Sequence, residues 1–108
     1  MLKIAHPIFG VTSSEKAEQF YCQKLGFRVK HVYRPDPNQA DPCWMVVIRD
    51  RVPIVLSSFQ GDGPPGRNLQ IYVDNIVELR EEFKRAGVPS LGEILDQTWG
   101  NLELDVTD

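Results

Sequence analysis

The residues whose types and spacing could do chemistry in this chain are mostly rings. Trp44, Phe59, Tyr72 and Trp99 lie on or beside segments that read as strands. Rings gathered with a few hydrogen-bonding groups are the usual lining of a small-molecule pocket, and Ser57 and Ser58 could supply such groups. A ring set of this kind suits a planar or cationic ligand, by stacking and by attraction to the negative face of the π-system. The competing reading packs some of the rings under helices as core. His6 and His31 are the two histidines. An imidazole can serve as acid, base or metal ligand, but a metal centre needs several donors. With no second ligand in view, His6 reads as a strand histidine with a hydrogen-bonding role, and His31 as a half-buried or interface-facing one. Glu103 and Asp105 fall on one side of an alternating segment. Such a pair does acid–base work when burial separates the two pKa values, and is otherwise a solvated strand face.

Composition narrows the setting. The chain has 108 residues with a formal net charge of −3, 42% hydrophobic and 25% charged. Those values fit one ordinary globular domain and exclude disorder and fibrous repeats. Mild acidity excludes a basic nucleic-acid footprint. No apolar run approaches the roughly 20 residues that cross a bilayer, and Met1–Pro7 lacks the apolar core of a signal peptide. A soluble, cytoplasmic domain is expected, with no membrane partner. Cys22 and Cys43 are too few for a disulfide scaffold or a four-thiolate zinc site. They read as free, mostly buried thiols, with a single disulfide as the other option.

The elements that must position these residues follow from periodicity and punctuation. Residues 3–9 form a short strand, at a sheet edge or bulged because Pro7 has no amide to donate. Thr12-Ser13-Ser14-Glu15 starts a helix, Ala17, Phe20, Tyr21 and Leu25 form its apolar stripe, and Gly26 ends it. Phe27, Val29, His31 and Tyr33 alternate with charges, which predicts a strand with one buried face. After a proline-rich loop, Trp44–Ile48 and Ile54–Phe59 flank the turn Asp50-Arg51 and predict a hairpin. Gln60–Arg67 is a connector. Its glycines lack the Lys-Ser/Thr of a phosphate loop. Leu69, Ile71 and Val73 predict a strand, Asp74-Asn75 a cap, Ile76, Leu79, Phe83 and Ala86 a helix stripe, and Gly87 its stop. The charges of Leu79–Arg85 make a solvated helix face with internal ion pairs. Ile94-Leu95 is a weak strand, and Leu102, Leu104 and Val106 a clearer one.

The order therefore repeats: strand–helix–strand–strand–strand over about residues 1–60, then strand–helix–strand–strand over about 67–108. A repeated supersecondary unit needs its neighbour to cover its apolar face. With these residues, the repeat resembles the vicinal oxygen chelate superfamily of glyoxalases, bleomycin-resistance proteins, fosfomycin-resistance enzymes and extradiol dioxygenases. Ser13, Ala17, Phe20-Tyr21 and Leu25-Gly26-Phe27 look like the family's first helix and its exit. Leu69–Ile76 and the helix ending Lys84–Val88 resemble the start of the second module. Trp99-Gly100, Glu103, Val106 and Asp108 resemble its late strand. Among the branches, the hairpin after Trp44-Met45 looks closest to the bleomycin-resistance type.

The resemblance implies an α+β fold of two βαβββ modules whose mixed sheet curls into a cup, in one domain over residues 1–108, commonly as a homodimer. It places His6 at a metal-ligand position and Glu103 at a family site position. The matching position in the second half is Asn68, a poor ligand for a transition metal, and the carboxylate strand of relatives lies beyond Asp108. The first expectation is therefore a protein that binds a small planar or cationic molecule without metal or other cofactor. Its lining would be His6, Trp44, Ser57, Phe59, Tyr72, Trp99 and Glu103, and it would act by sequestration. The alternative is a lyase or dioxygenase using one divalent metal held by His6 and a Glu beyond residue 108. A third option is an interaction module whose cup is filled by its own side chains. Because the second half stops where relatives turn into their last strand, a longer natural chain or a strand supplied by a partner is also expected.

Overall fold

Ser13 caps the first helix by accepting a hydrogen bond from the Lys16 amide at 3.3 Å, with Glu15 in the first turn. In the computed structural model, which describes residues 1–63, 68–96 and 100–107, this helix, α1 (Ser14–Glu18), runs into a wider π-helical turn over Gln19–Lys24. There the Leu25 amide bonds the Phe20 carbonyl, five residues back. Gly26 then takes a φ of 80°, a left-handed conformation that a side chain would resist, and the Phe27 amide closes onto the Tyr21 carbonyl. Ala17, Tyr21 and Leu25 are buried as the stripe predicts.

Two compact units make up the chain, Met1–Leu69 and Gln70–Asp108. In the first, the apolar runs form an antiparallel hairpin of β3 (Trp44–Arg49) and β4 (Val52–Ser57), with Arg49 opposite Val52 across a two-residue turn. Asp50 carries that turn with a φ of 53°, which Asp tolerates better than most side chains. β2 (Arg28–Tyr33) pairs antiparallel with β3, and β1 (Ile8–Gly10) pairs parallel with β4, giving a curled mixed sheet of order β1-β4-β3-β2. β1 lies at the edge, as Pro7 requires, but it is shorter than the predicted strand. The ladder starts only after the proline, whose carbonyl still accepts the Val55 amide at 2.8 Å. β2 also departs from expectation. A register shift between Val29 and His31 leaves Lys30 unpaired, and His31, Val32 and Tyr33 are all exposed, so only the start of β2 has a buried face.

Alternation sends Phe9, Met45, Val47, Ile54 and Leu56 to one face. The first helix covers that face: the Tyr21 ring lies 6.5 Å from Phe9, and Arg49 Nη1 donates to the Leu25 carbonyl at 2.8 Å. Met45, Val47, Ile54 and Leu56 are essentially inaccessible to water, each worth about 1.5–3 kcal/mol of burial. The opposite face carries Ile8, His31, Tyr33, Trp44, Val46, Val55 and Ser57.

The second unit is built around α2 (Ile76–Ala86). Asn75 caps it by accepting from the Glu78 amide, and Gly87 ends it with a φ of 77°. Beyond it, β5 (Ser90–Leu91) pairs with β8 (Val106–Thr107), and β6 (Leu95–Asp96) pairs with β7 (Leu102–Glu103). The predicted strand through Leu102, Leu104 and Val106 is thus two short ones. The break lies at Asp105, whose carbonyl takes the Gly92 amide at 2.9 Å. A Cβ on Gly92 would sit 3.2 Å from that oxygen. Leu69, Ile71 and Val73 are exposed and belong to no described ladder, so the predicted opening strand of the second module is not formed. Alternation marks a strand-like face, but a strand also needs a neighbour to bond. The architecture is α+β, with a complete βαβββ module in the first unit. No helix among the described residues is long and apolar enough to cross a membrane.

One carboxylate fastens the first unit's proline-rich loop. Asp41 accepts from the Ser14 amide (3.2 and 3.3 Å) and from the Ser58 hydroxyl (2.5 Å), and Ser58 in turn accepts from the Cys43 amide (2.8 Å). Arg34 Nε and the Ser14 hydroxyl both donate to the neighbouring Ala40 carbonyl. Partial burial alone would push the Asp41 carboxyl up. The hydrogen bonds from Ser58 and Ser14, with the nearby Arg34 charge, outweigh it and hold the group below its ordinary value.

Two predictions follow from this packing. Leu56→Ala should cost about 2–5 kcal/mol, and Val32→Ala, on the exposed end of β2, within about 0.5 kcal/mol; equal losses in urea unfolding would contradict the assigned faces. Because the Asp41 value is lower folded than unfolded, its contribution is fully present above the unfolded value and is lost as pH falls through the folded one. Asp41→Asn should therefore cost about 1–3 kcal/mol at pH 7, a deficit that narrows below about pH 4. The same deficit at pH 3 as at pH 7 would sink this account of the network.

Candidate functional site

The face of the first unit's sheet turned away from its helix gathers the rings. Tyr33, Trp44 and Ser57 stand side by side on β2, β3 and β4, and Gly10 on β1 faces Ser57 without a side chain. Trp44 is half-buried, and the His31 ring meets it edge-on, centroids 6.1 Å apart at 71°. Tyr33 lies nearly parallel to Phe59, 6.2 Å apart at 6°. Phe59 sits two residues past the end of β4 and is held there by its own backbone. Its amide donates to Ser57 Oγ at 3.2 Å, and its carbonyl accepts the Asp62 amide at 3.3 Å.

At the β1 margin of the same face is an open depression of about 480 Å³, lined by His6, Ile8, Gly61, Asp62 and Gly63. Gly61 and Gly63 both have left-handed backbones, φ 98° and 107°, conformations glycine adopts readily. This turn brings Asp62 back to β4, where its Oδ2 accepts a 2.5 Å hydrogen bond from the Ser57 hydroxyl. Ser57 therefore links the ring cluster to the depression. It lies beside Trp44, receives the Phe59 amide and orients the Asp62 carboxylate.

Of the sequence-predicted residues, His6, Trp44, Ser57 and Phe59 all fall in this one neighbourhood of the first unit. Tyr72 is in the second unit and largely exposed, and Glu103 is half-buried on β7. Trp99 lies outside the described residues. Ser58 is taken up by the Asp41 network rather than aimed at a ligand. Sequence reasoning missed Tyr33 and Asp62 as site residues. Tyr33 is legible in the sequence as the last alternating residue of β2. Asp62 was hidden in a glycine-rich turn whose only recognised signature was the phosphate loop it lacks.

Among the described residues, no three His, Cys, Asp or Glu side chains converge as a metal ligand set. Both cysteines are free. Burial and then the Glu18 carboxylate push the Cys22 thiol up, and burial does the same for Cys43, so neither is an activated nucleophile.

Comparison with known proteins agrees with the architecture. The chain is similar in fold to a glyoxalase-related enzyme from Clostridium phytofermentans (TM-score 0.78, 19% identity, 99% of this chain and 87% of that one). It is similar to the antibiotic binding protein TnmS3 from Streptomyces sp. CB03234 (0.73, 21%, 100% and 89%). A bleomycin resistance determinant encoded on the transposon Tn5 also matches (0.71, 19%, 99% and 89%). No curated protein matches the chain. The family model for glyoxalase superfamily proteins matches residues 1–107. With a βαβββ module in its first unit and that match across nearly its whole length, the chain belongs to the glyoxalase superfamily.

Proposed function

We propose that this chain binds a small planar molecule against the ring-bearing face of its four-stranded sheet, without a metal, and acts by sequestering it in the cytoplasm. The observation that carries this reading is the cluster of Trp44, His31, Tyr33 and Phe59 on the face turned away from the helix, where the rings of His31 and Tyr33 are exposed. A half-buried indole beside two near-parallel rings offers broad apolar area with little side-chain entropy to lose, which favours a flat ligand. A cationic ligand gains further from the ring faces. The fold shared with an antibiotic binding protein and a bleomycin resistance determinant is consistent with a sequestering role. The chain's natural partner in this reading is a second copy of itself, since Leu69, Ile71 and Val73 present exposed apolar side chains. Light scattering on the purified protein tests that part.

Trp44→Ala should weaken binding of planar aromatic ligands about 2- to 30-fold, the range that 0.5–2 kcal/mol of ring contact gives. Fluorescence or calorimetric titration measures it, with urea unfolding to show that the variant is folded. Adding EDTA should leave the affinity unchanged. A stoichiometric, tightly held divalent metal, or binding abolished by chelation, would overturn the metal-free reading.

A further inference from the structure

Asp62 is a carboxylate with no ion pair among the described residues. It is half-buried at the floor of the depression, and among the described residues no Lys, Arg or His lies within ion-pair distance of it. Its one side-chain hydrogen bond comes from Ser57, a residue only 1% exposed. A carboxylate offers about four acceptor positions, and Ser57 fills one. The short bond orients the Oδ2 atom, and the Asp62 amide is tied to the Phe59 carbonyl, which holds the residue's backbone at this turn. This is an oriented carboxylate in the lining of an open depression, which it shares with His6.

Its distance from the rings is set by the sheet. Trp44 is on β3, Ser57 on β4 and Ile8 on β1, neighbouring strands in that order. At about 4.8 Å per strand and about 3.3 Å per residue, Ile8 at the depression, two strands across and two residues along, lies about 12 Å from Trp44 over the face. A flat ring system on Trp44 that carries an amino or amidino group on its edge would span that distance.

We propose that Asp62, oriented by Ser57, is the charged anchor of the binding face and selects ligands in which a cationic nitrogen is attached to a planar ring. This rests on the ring-face reading above and adds to it the residue that reads the ligand's charge and the place where that charge sits. Ser57 is a positioning residue and Asp62 the contact.

The test uses a matched pair of probes, 9-aminoacridine, which is a cation at pH 7.5, and acridine, which is neutral there. Both are titrated into the wild-type protein, Asp62→Asn, Asp62→Glu and Trp44→Ala. The wild type is expected to prefer the cation, with a preference that shrinks as salt rises. Asp62→Asn should lose about tenfold or more in affinity for 9-aminoacridine while acridine changes less than about twofold. Asp62→Glu should restore part of the preference, which loss of folding would not. Trp44→Ala should weaken both probes. If both bind, and Trp44→Ala weakens both, but Asp62→Asn leaves the cation preference intact, the anchor is wrong while the ring site stands. Equal weakening of both probes in Asp62→Asn also overturns the anchor. If neither probe binds the wild type, the ring-face reading and the anchor fall together.

Discussion

The two-residue turn at Asp50-Arg51 sets the register of the hairpin, and the register decides everything built on it. Pairing Arg49 with Val52 places Met45, Val47, Ile54 and Leu56 on one face and Trp44, Val46, Val55 and Ser57 on the other. A slip of one residue would exchange the two sets and take Met45, Val47, Ile54 and Leu56 away from the helix that covers them. Their burial under the first helix, several kcal/mol in all, therefore protects the register. The same constraint points Trp44 away from the helix.

Polar links then fix what the hairpin presents. Where the chain leaves β4, Ser57 and Ser58 turn in different directions and are claimed by different carboxylates, Asp62 and Asp41. One link shapes the margin of the depression, and the other ties the end of the sheet to the start of the first helix through Ser14. No buried side-chain nitrogen or oxygen among the described residues is left without a partner. An unsatisfied buried hydroxyl would cost about 1–3 kcal/mol, so each pair makes its own loop conformation more favourable than the alternatives. Phe59, the residue after the two serines, donates its amide to Ser57 Oγ and stands against Tyr33.

Much of this was legible in the residues. Ser13, Asn75, Gly26 and Gly87 mark helix ends because their chemistry is local, and both helices start and stop at them. The hairpin was readable because a two-residue turn between apolar runs leaves little choice. Three features were not. The π-helical turn over Gln19–Lys24 keeps much the same apolar stripe as an ordinary helix, so periodicity does not separate them. The bulge at Lys30 depends on pairing with β3, which no single strand encodes. The pattern Leu69, Ile71, Val73 is strand-like, yet strand formation is a property of two segments. The proposed site divided in the same way. Trp44, Ser57, Phe59 and His6 were candidates from residue type and strand position. Asp62 was not, because its role comes from a hydrogen bond to Ser57 across a glycine turn.

The most direct measurement is a chemical-shift titration of isotopically labelled protein with 9-aminoacridine, following the Trp44 indole NH and the ring protons of His31, Tyr33 and Phe59. The account predicts saturable shifts concentrated on those four rings and on the amides of Ser57 and Asp62, with the Phe9–Tyr21 side of the sheet unmoved. Shifts on the helix-covered face, or spread without saturation over the whole chain, would contradict it.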